Sequence, residues 1–141
     1  MNRYFRNGGL KMILNTKDAR RKAHDMMKSG SPDITKKTLN LDNINHQTIE
    51  GVTPLLLAIL LDKYEIANYL IKNGADIHIP DECMNFPIHV ASNAGNIELV
   101  SLLIKEGVNL FSKTRKGNIP IALAANNEHH DIVKLLFKNM Y

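Results

Sequence analysis

Only one of the 141 residues is a cysteine, Cys83. The chain therefore closes no disulfide within itself and builds no zinc site from several thiolates. Cysteine this scarce fits a reducing, cytoplasm-like compartment. No uncharged apolar run approaches the roughly 18 residues that a membrane-spanning helix needs. Arg3 and Arg6 begin the chain as a targeting signal might, but Gly8, Gly9 and Lys11 interrupt any apolar stretch behind them, so no secretory signal is expected. Phosphate-cradling loops are missing too. Neither G-x-G-x-x-G nor G-x-x-x-x-G-K-S/T occurs, and Gly8-Gly9 is too short to stand for one.

Groupings of reactive side chains are equally sparse. His129 and His130 are adjacent, and neighbours on a helix point in different directions, so they suit a loop or packing role better than a shared metal. A nucleophilic Cys83 would need a base beside it, and Glu82 is a poor one. His78 and His89 fall at a turn and a helix start, separate from each other. The expectation is a non-enzyme with no catalytic residue, no cofactor and no metal.

What the sequence does contain is an ordinary globular balance, with 44% hydrophobic and 23% charged residues in a single-domain length. The net charge of +4 is unevenly placed: residues 1–46 carry a balance of +6 and residues 47–141 a balance of −2. Basicity thus belongs to the N-terminal third, around Lys17, Arg20, Arg21, Lys22, Lys28, Lys36 and Lys37. A solvated helix face accounts for that run. The alternative, a basic face for nucleic acid, is weakened by the absence of stacking aromatics within it.

A repeat organises the rest. Pro54, Pro87 and Pro120 lie 33 residues apart, as do Ala58, Ala91 and Ala124, then Ile66, Leu99 and Ile132, then Leu70, Leu103 and Leu136. Gly74 and Gly107 keep the same step, and so do Gly51, Met84 and Gly117. Proline suits a first helical turn, where an N–H has no partner in any case. The spacing predicts a first helix over about 54–61 and a second over about 65–73, ended by a left-handed Gly74. The second helix carries Ile66, Ala67, Tyr69, Leu70 and Ile71, an apolar arc of roughly 200° that fits packing on two sides. The alanine column keeps one helix–helix contact close. Met84 stands where its two counterparts are glycine, which puts the turn conformation there in question.

These 33-residue units, with Thr53-Pro54-Leu55 at a helix start and Asn73-Gly74-Ala75-Asp76-Ile77 at a helix end, resemble the ankyrin repeat family. The resemblance covers about residues 48–141. It implies an all-α fold, an ankyrin-like α-solenoid of helix-turn-helix repeats joined by β-hairpin-like turns. The expected organisation is a mobile tail (1–15), a degenerate N-terminal capping repeat (16–47), and repeats over 48–80, 81–113 and 114–141, the third ending within or just after its second helix. The Thr-Pro-Leu-His motif is never complete: Leu56 replaces the His, Phe86 the Thr, and Ile119 with Ala122 both. A Thr–His hydrogen bond is therefore not expected, which shifts the stability of these turns toward packing.

The resemblance also implies where a partner would bind, on the turn tips and the exposed side of each first helix. Carried over, these positions are Ile49, Glu50, Val52, Leu60 and Leu61, then Glu82, Cys83, Asn85, Asn93 and Ala94, then Lys113, Arg115, Lys116, Asn118, Asn126 and Asn127. The set runs from apolar through neutral to basic with amides. Val52, Leu60 and Leu61 are expected to anchor a protein, and Lys113, Arg115 and Lys116 to favour an acidic one. Leu60 and Leu61 could instead pack on the capping repeat. Abundant Asn, Ile and Lys (16, 15 and 13 residues) suggest an AT-rich genome, as in host-restricted bacteria, some viruses and some protists, so a host protein, met after delivery into a host cell, is a candidate partner. No membrane partner is expected. The apolar 132–137 segment also raises self-association through the C-terminal end, making a structural or assembly element the alternative reading.

Overall fold

The computed structural model describes residues 44–47 and 50–141. The expected tail, the capping repeat up to residue 43 and Ile49 lie outside them. Six α-helices and no strands are present among the described residues. They are α1 (Pro54–Leu60), α2 (Tyr64–Lys72), α3 (Pro87–Ala94), α4 (Ile97–Lys105), α5 (Pro120–Asn126) and α6 (His130–Met140). Proline opens α1, α3 and α5, as the register requires. The described residues fall into two compact units that divide between Asp76 and Ile77.

In the first unit α1 packs on α2. Six consecutive residues of α1, Pro54 to Ile59, are buried, and Ile66, Ala67 and Leu70 cover them from α2. Full burial of one such Leu or Ile side chain contributes about 1.5–3 kcal/mol. The Asp76 N–H donates to Asn45 Oδ1 at 2.8 Å, tying the residues beyond α2 back to those before α1.

In the second unit α3 packs on α4 and α5, α5 on α6, and α4 on α6. Ile88, Ala91, Leu99, Leu103, Ala124, Ile132 and Leu136 form its core. The wide apolar arc expected of the second helices is only partly enclosed: Ile132 and Leu136 are buried, while Phe137 is 60% exposed.

Helix ends repeat as faithfully as helix starts. After α2, the Ala75 N–H donates to Leu70 C=O and Gly74 to Ile71; after α4, Val108 donates to Leu103 and Gly107 to Ile104. This is the paired-bond stop of a left-handed C′ residue. A second such column closes the first helices. Lys63, Asn96 and His129 donate to the carbonyls of Ala58, Ala91 and Ala124, while Asp62, Gly95 and Glu128 hold φ of 56°, 81° and 60°. Glycine is required at only one of these three. A Cβ on Gly95 would lie 2.6 Å from the His129 ring. His129 thus fills a packing place, with Nε2 against Asn93 C=O at 3.1 Å.

Candidate partner-binding surface

The tips between helix pairs are compact turns. In the tip of residues 81–85, the Asp81 N–H donates to Asn85 C=O and Met84 to Asp81 C=O. The tip of residues 114–118 repeats both bonds through Thr114, Asn118 and Gly117. Met84 resolves the question the sequence raised, because it adopts φ 61° in the column where Gly51 and Gly117 hold 80° and 86°. A methionine there bears the strain that glycine avoids.

The two tips close by different chemistry. Asp81 Oδ1 accepts from the backbone of Cys83 and Asn85, both at 2.9 Å, and Oδ2 accepts from the Asn85 side chain at 3.2 Å. One repeat later the neutral Thr114 hydroxyl accepts from Asn118 N–H at 3.2 Å. The earlier tip therefore carries Asp81 and Glu82, while the later one carries Lys113, Arg115 and Lys116 with no acid of its own. The Arg115 N–H donates to Cys83 C=O at 3.1 Å, and its guanidinium to Glu82 C=O. Neighbouring tips are thus joined by backbone and side chain.

His89 is the one buried histidine at this junction. Its Nδ1 accepts from Phe86 N–H at 3.0 Å and its Nε2 meets Ser112 C=O at 2.8 Å. These partners assign the tautomer: Nε2 carries the proton and donates, leaving Nδ1 free to accept. Burial pushes the imidazole below the ordinary histidine range, and its bonds with the Ser112 and Asn118 backbone and the Asp81 charge oppose that only in part. These bonds add to the packing on which the turns were expected to rest. Thr53 Oγ1 accepts from Leu56 N–H at 3.1 Å, so each half of the incomplete motif caps its own helix. Of the three proline-opened helices, α5, opening on Ile119, makes no such side-chain bond.

Of the residues expected to face a partner, Leu60, Glu82, Cys83, Asn93, Ala94, Lys113, Arg115, Lys116, Asn126 and Asn127 are exposed. Glu50, Val52, Leu61, Asn85 and Asn118 are half-buried. Several also hold the fold. Asn127 Nδ2 donates to Asn93 Oδ1 at 2.8 Å and to Leu123 C=O at 2.9 Å. The exposed Phe111, at 54%, was not anticipated, because the register alone marks it as an ordinary turn position. Among the described residues no group of three or more His, Cys, Asp and Glu could hold a metal, and no helix is long and apolar enough to cross a membrane.

Pairs of short packed helices at a 33-residue step, with recurring stop bonds and no strand among the described residues, define an all-α helical repeat protein. The family model described as ankyrin repeats (3 copies) matches residues 63–141, and the chain belongs to the ankyrin repeat family. It is similar to NF-kappa-B inhibitor alpha of Gallus gallus, 40% identical over 54 residues, which are 38% of this chain and 17% of that protein. It is also similar to the probable 26S proteasome regulatory subunit p28 of Saccharomyces cerevisiae, 36% identical over 55 residues, 39% of this chain and 24% of that protein. The matched stretches span at most a quarter of these relatives. Ankyrin repeats are in general protein–protein interaction modules.

Proposed function

We propose that this chain is a non-enzymatic module that binds a partner protein through its tips and the exposed ends of its first helices. The observation that carries this reading is Leu60, left 54% exposed at the end of a helix whose preceding six residues are all buried. A large aliphatic group at that place contributes little to the core and is suited to a partner's pocket. Val52 and Leu61, both half-buried, flank the same role within the first unit. In the second unit the exposed Lys113, Arg115 and Lys116 favour a partner with acidic side chains. Family membership and similarity to an inhibitor and to a regulatory subunit support a binding role.

Leu60→Asp tests it. Affinity capture with wild type and variant side by side should show a retained protein that the variant loses, with unchanged thermal melting. A buried anchor costs about 2 kcal/mol or more when removed. Equal retention by both chains overturns the assignment of Leu60.

A further inference from the structure

We infer that His89 is an acid-released latch: a proton on its Nδ1 frees the start of α3 and the tip of residues 114–118 in one step. The latch goes beyond the protein-binding reading and stands without it. What it controls is the placement of Lys113, Arg115 and Lys116.

The chemistry follows from the two ring nitrogens. Nδ1 accepts from Phe86 N–H at 3.0 Å and Nε2 donates to Ser112 C=O at 2.8 Å, a pair of roles that only the neutral ring can fill. A second proton turns Nδ1 into a donor facing another donor. It also puts a full charge on a side chain that is 0% exposed. Both costs disappear once the ring swings into water. That movement breaks the two bonds together, so Phe86 N–H loses its acceptor at the start of α3 and Ser112 C=O loses its donor 23 positions away.

The surroundings do little to hold a charged ring in place. Asp81 is the acid whose charge favours it, yet both Asp81 oxygens already accept from Cys83 and Asn85. Of the helices packed on α3, α5 has no titratable side chain, and Glu98 and Lys105 of α4 are exposed. The segment beyond Ser112 carries only cations, Lys113, Arg115 and Lys116, and like charges disfavour an imidazolium. What else ties that segment to the preceding repeat lies at the surface: exposed Arg115 bonds to the carbonyls of exposed Cys83 and Glu82.

The register isolates this joint. The positions equivalent to His89 are Leu56 and Ala122, neither of which takes up a proton. His129 also meets a carbonyl of the preceding repeat, at Asn93, but through Nε2 and from a half-buried place. A proton there adds a donor and breaks no bond.

The test reads the whole chain alone, by nitrogen-15 NMR of the imidazoles and amide hydrogen exchange from about pH 7.5 to about 4.5, above the ordinary carboxylate midpoints. At neutral pH His89 should show the Nε2-protonated tautomer. Local opening then takes up one proton below about pH 6.5. Exchange protection of the Phe86, Thr114 and Arg115 amides, corrected for intrinsic rates, should therefore fall by up to about tenfold per pH unit. The Leu56 amide, bonded to the Thr53 hydroxyl in the first unit, should keep its protection. His89→Gln should remove the slope at the first three amides. If that variant does not fold, coincidence of imidazole charging with amide loss in the wild type decides alone. A charged His89 with those amides still protected, or protection that is constant across the range, overturns the latch. So does an equal slope in His89→Gln, which hands the effect to another group, or a parallel fall at Leu56, which makes the event global unfolding. No partner enters these measurements, so their failure leaves the Leu60 assignment standing, and loss of that assignment leaves the latch.

Discussion

The helices Pro54–Leu60 and Pro120–Asn126 occupy the same place in the register, have the same length and both open on proline, yet six residues of the first are buried and only Pro120 and Ala124 of the second. Both are almost wholly apolar. Composition decides which side chains can be enclosed, and what lies against each decides which are. Their starts differ as well: Thr53 caps the first through its hydroxyl, while Ile119 offers the second nothing but backbone and the proline behind it.

The largest effect expected from that contrast is in the core. Leu56, 1% exposed, should cost about 2–5 kcal/mol when cut to alanine. The half-buried Leu123 should cost about 1 kcal/mol or less. Urea denaturation of both variants measures this directly, and equal losses would abolish the distinction between the two helices.

Glycines sharpen it next. Gly95→Ala places a Cβ on the His129 ring and demands φ 81°, so a loss of about 1–3 kcal/mol is expected. Gly107→Ala meets only the backbone strain, with nothing within 4 Å, and should cost about 1 kcal/mol. A thermal melt that ranks them the other way would remove the packing role of His129.

The smallest effect separates the caps by pH. Thr53 has no proton to gain, but His89 does. Its folded-state affinity for a proton is lowered by burial, so above the ordinary histidine range both folded and unfolded chains are neutral there and nothing changes. As pH falls through that range the unfolded chain takes up a proton that the folded one refuses, and stability declines until the folded imidazole also titrates. The urea midpoint should therefore drop between neutral and mildly acidic pH, and His89→Gln should flatten that drop. An unchanged slope in the variant would assign the acid sensitivity elsewhere.

Much of this architecture was legible in one dimension. Proline and alanine columns placed the helices of 54–60 and 64–72 to within one residue of the expected 54–61 and 65–73. The features that escaped depend on residues far along the chain. Asp62 and Glu128 stop helices in the left-handed region without being glycine. His89 reaches Ser112, 23 positions away, and Asn127 reaches Asn93, 34 away. Nothing local announces either bond. Phe111 was missed for the opposite reason: its neighbours fit the turn, and only its exposure distinguishes it. The proposed partner surface drew on family geometry, so the register located its positions but not which side chains also hold the fold, as Asn85 and Asn127 do.

Cys83 is exposed at a tip and is the sole thiol in the sequence. A maleimide dye therefore attaches at one defined point without any engineering. Its carbonyl already holds the next tip through Arg115. A fluorophore at that sulfur would sit beside the neighbouring turn, so the native molecule supplies its own reporter position for binding measurements.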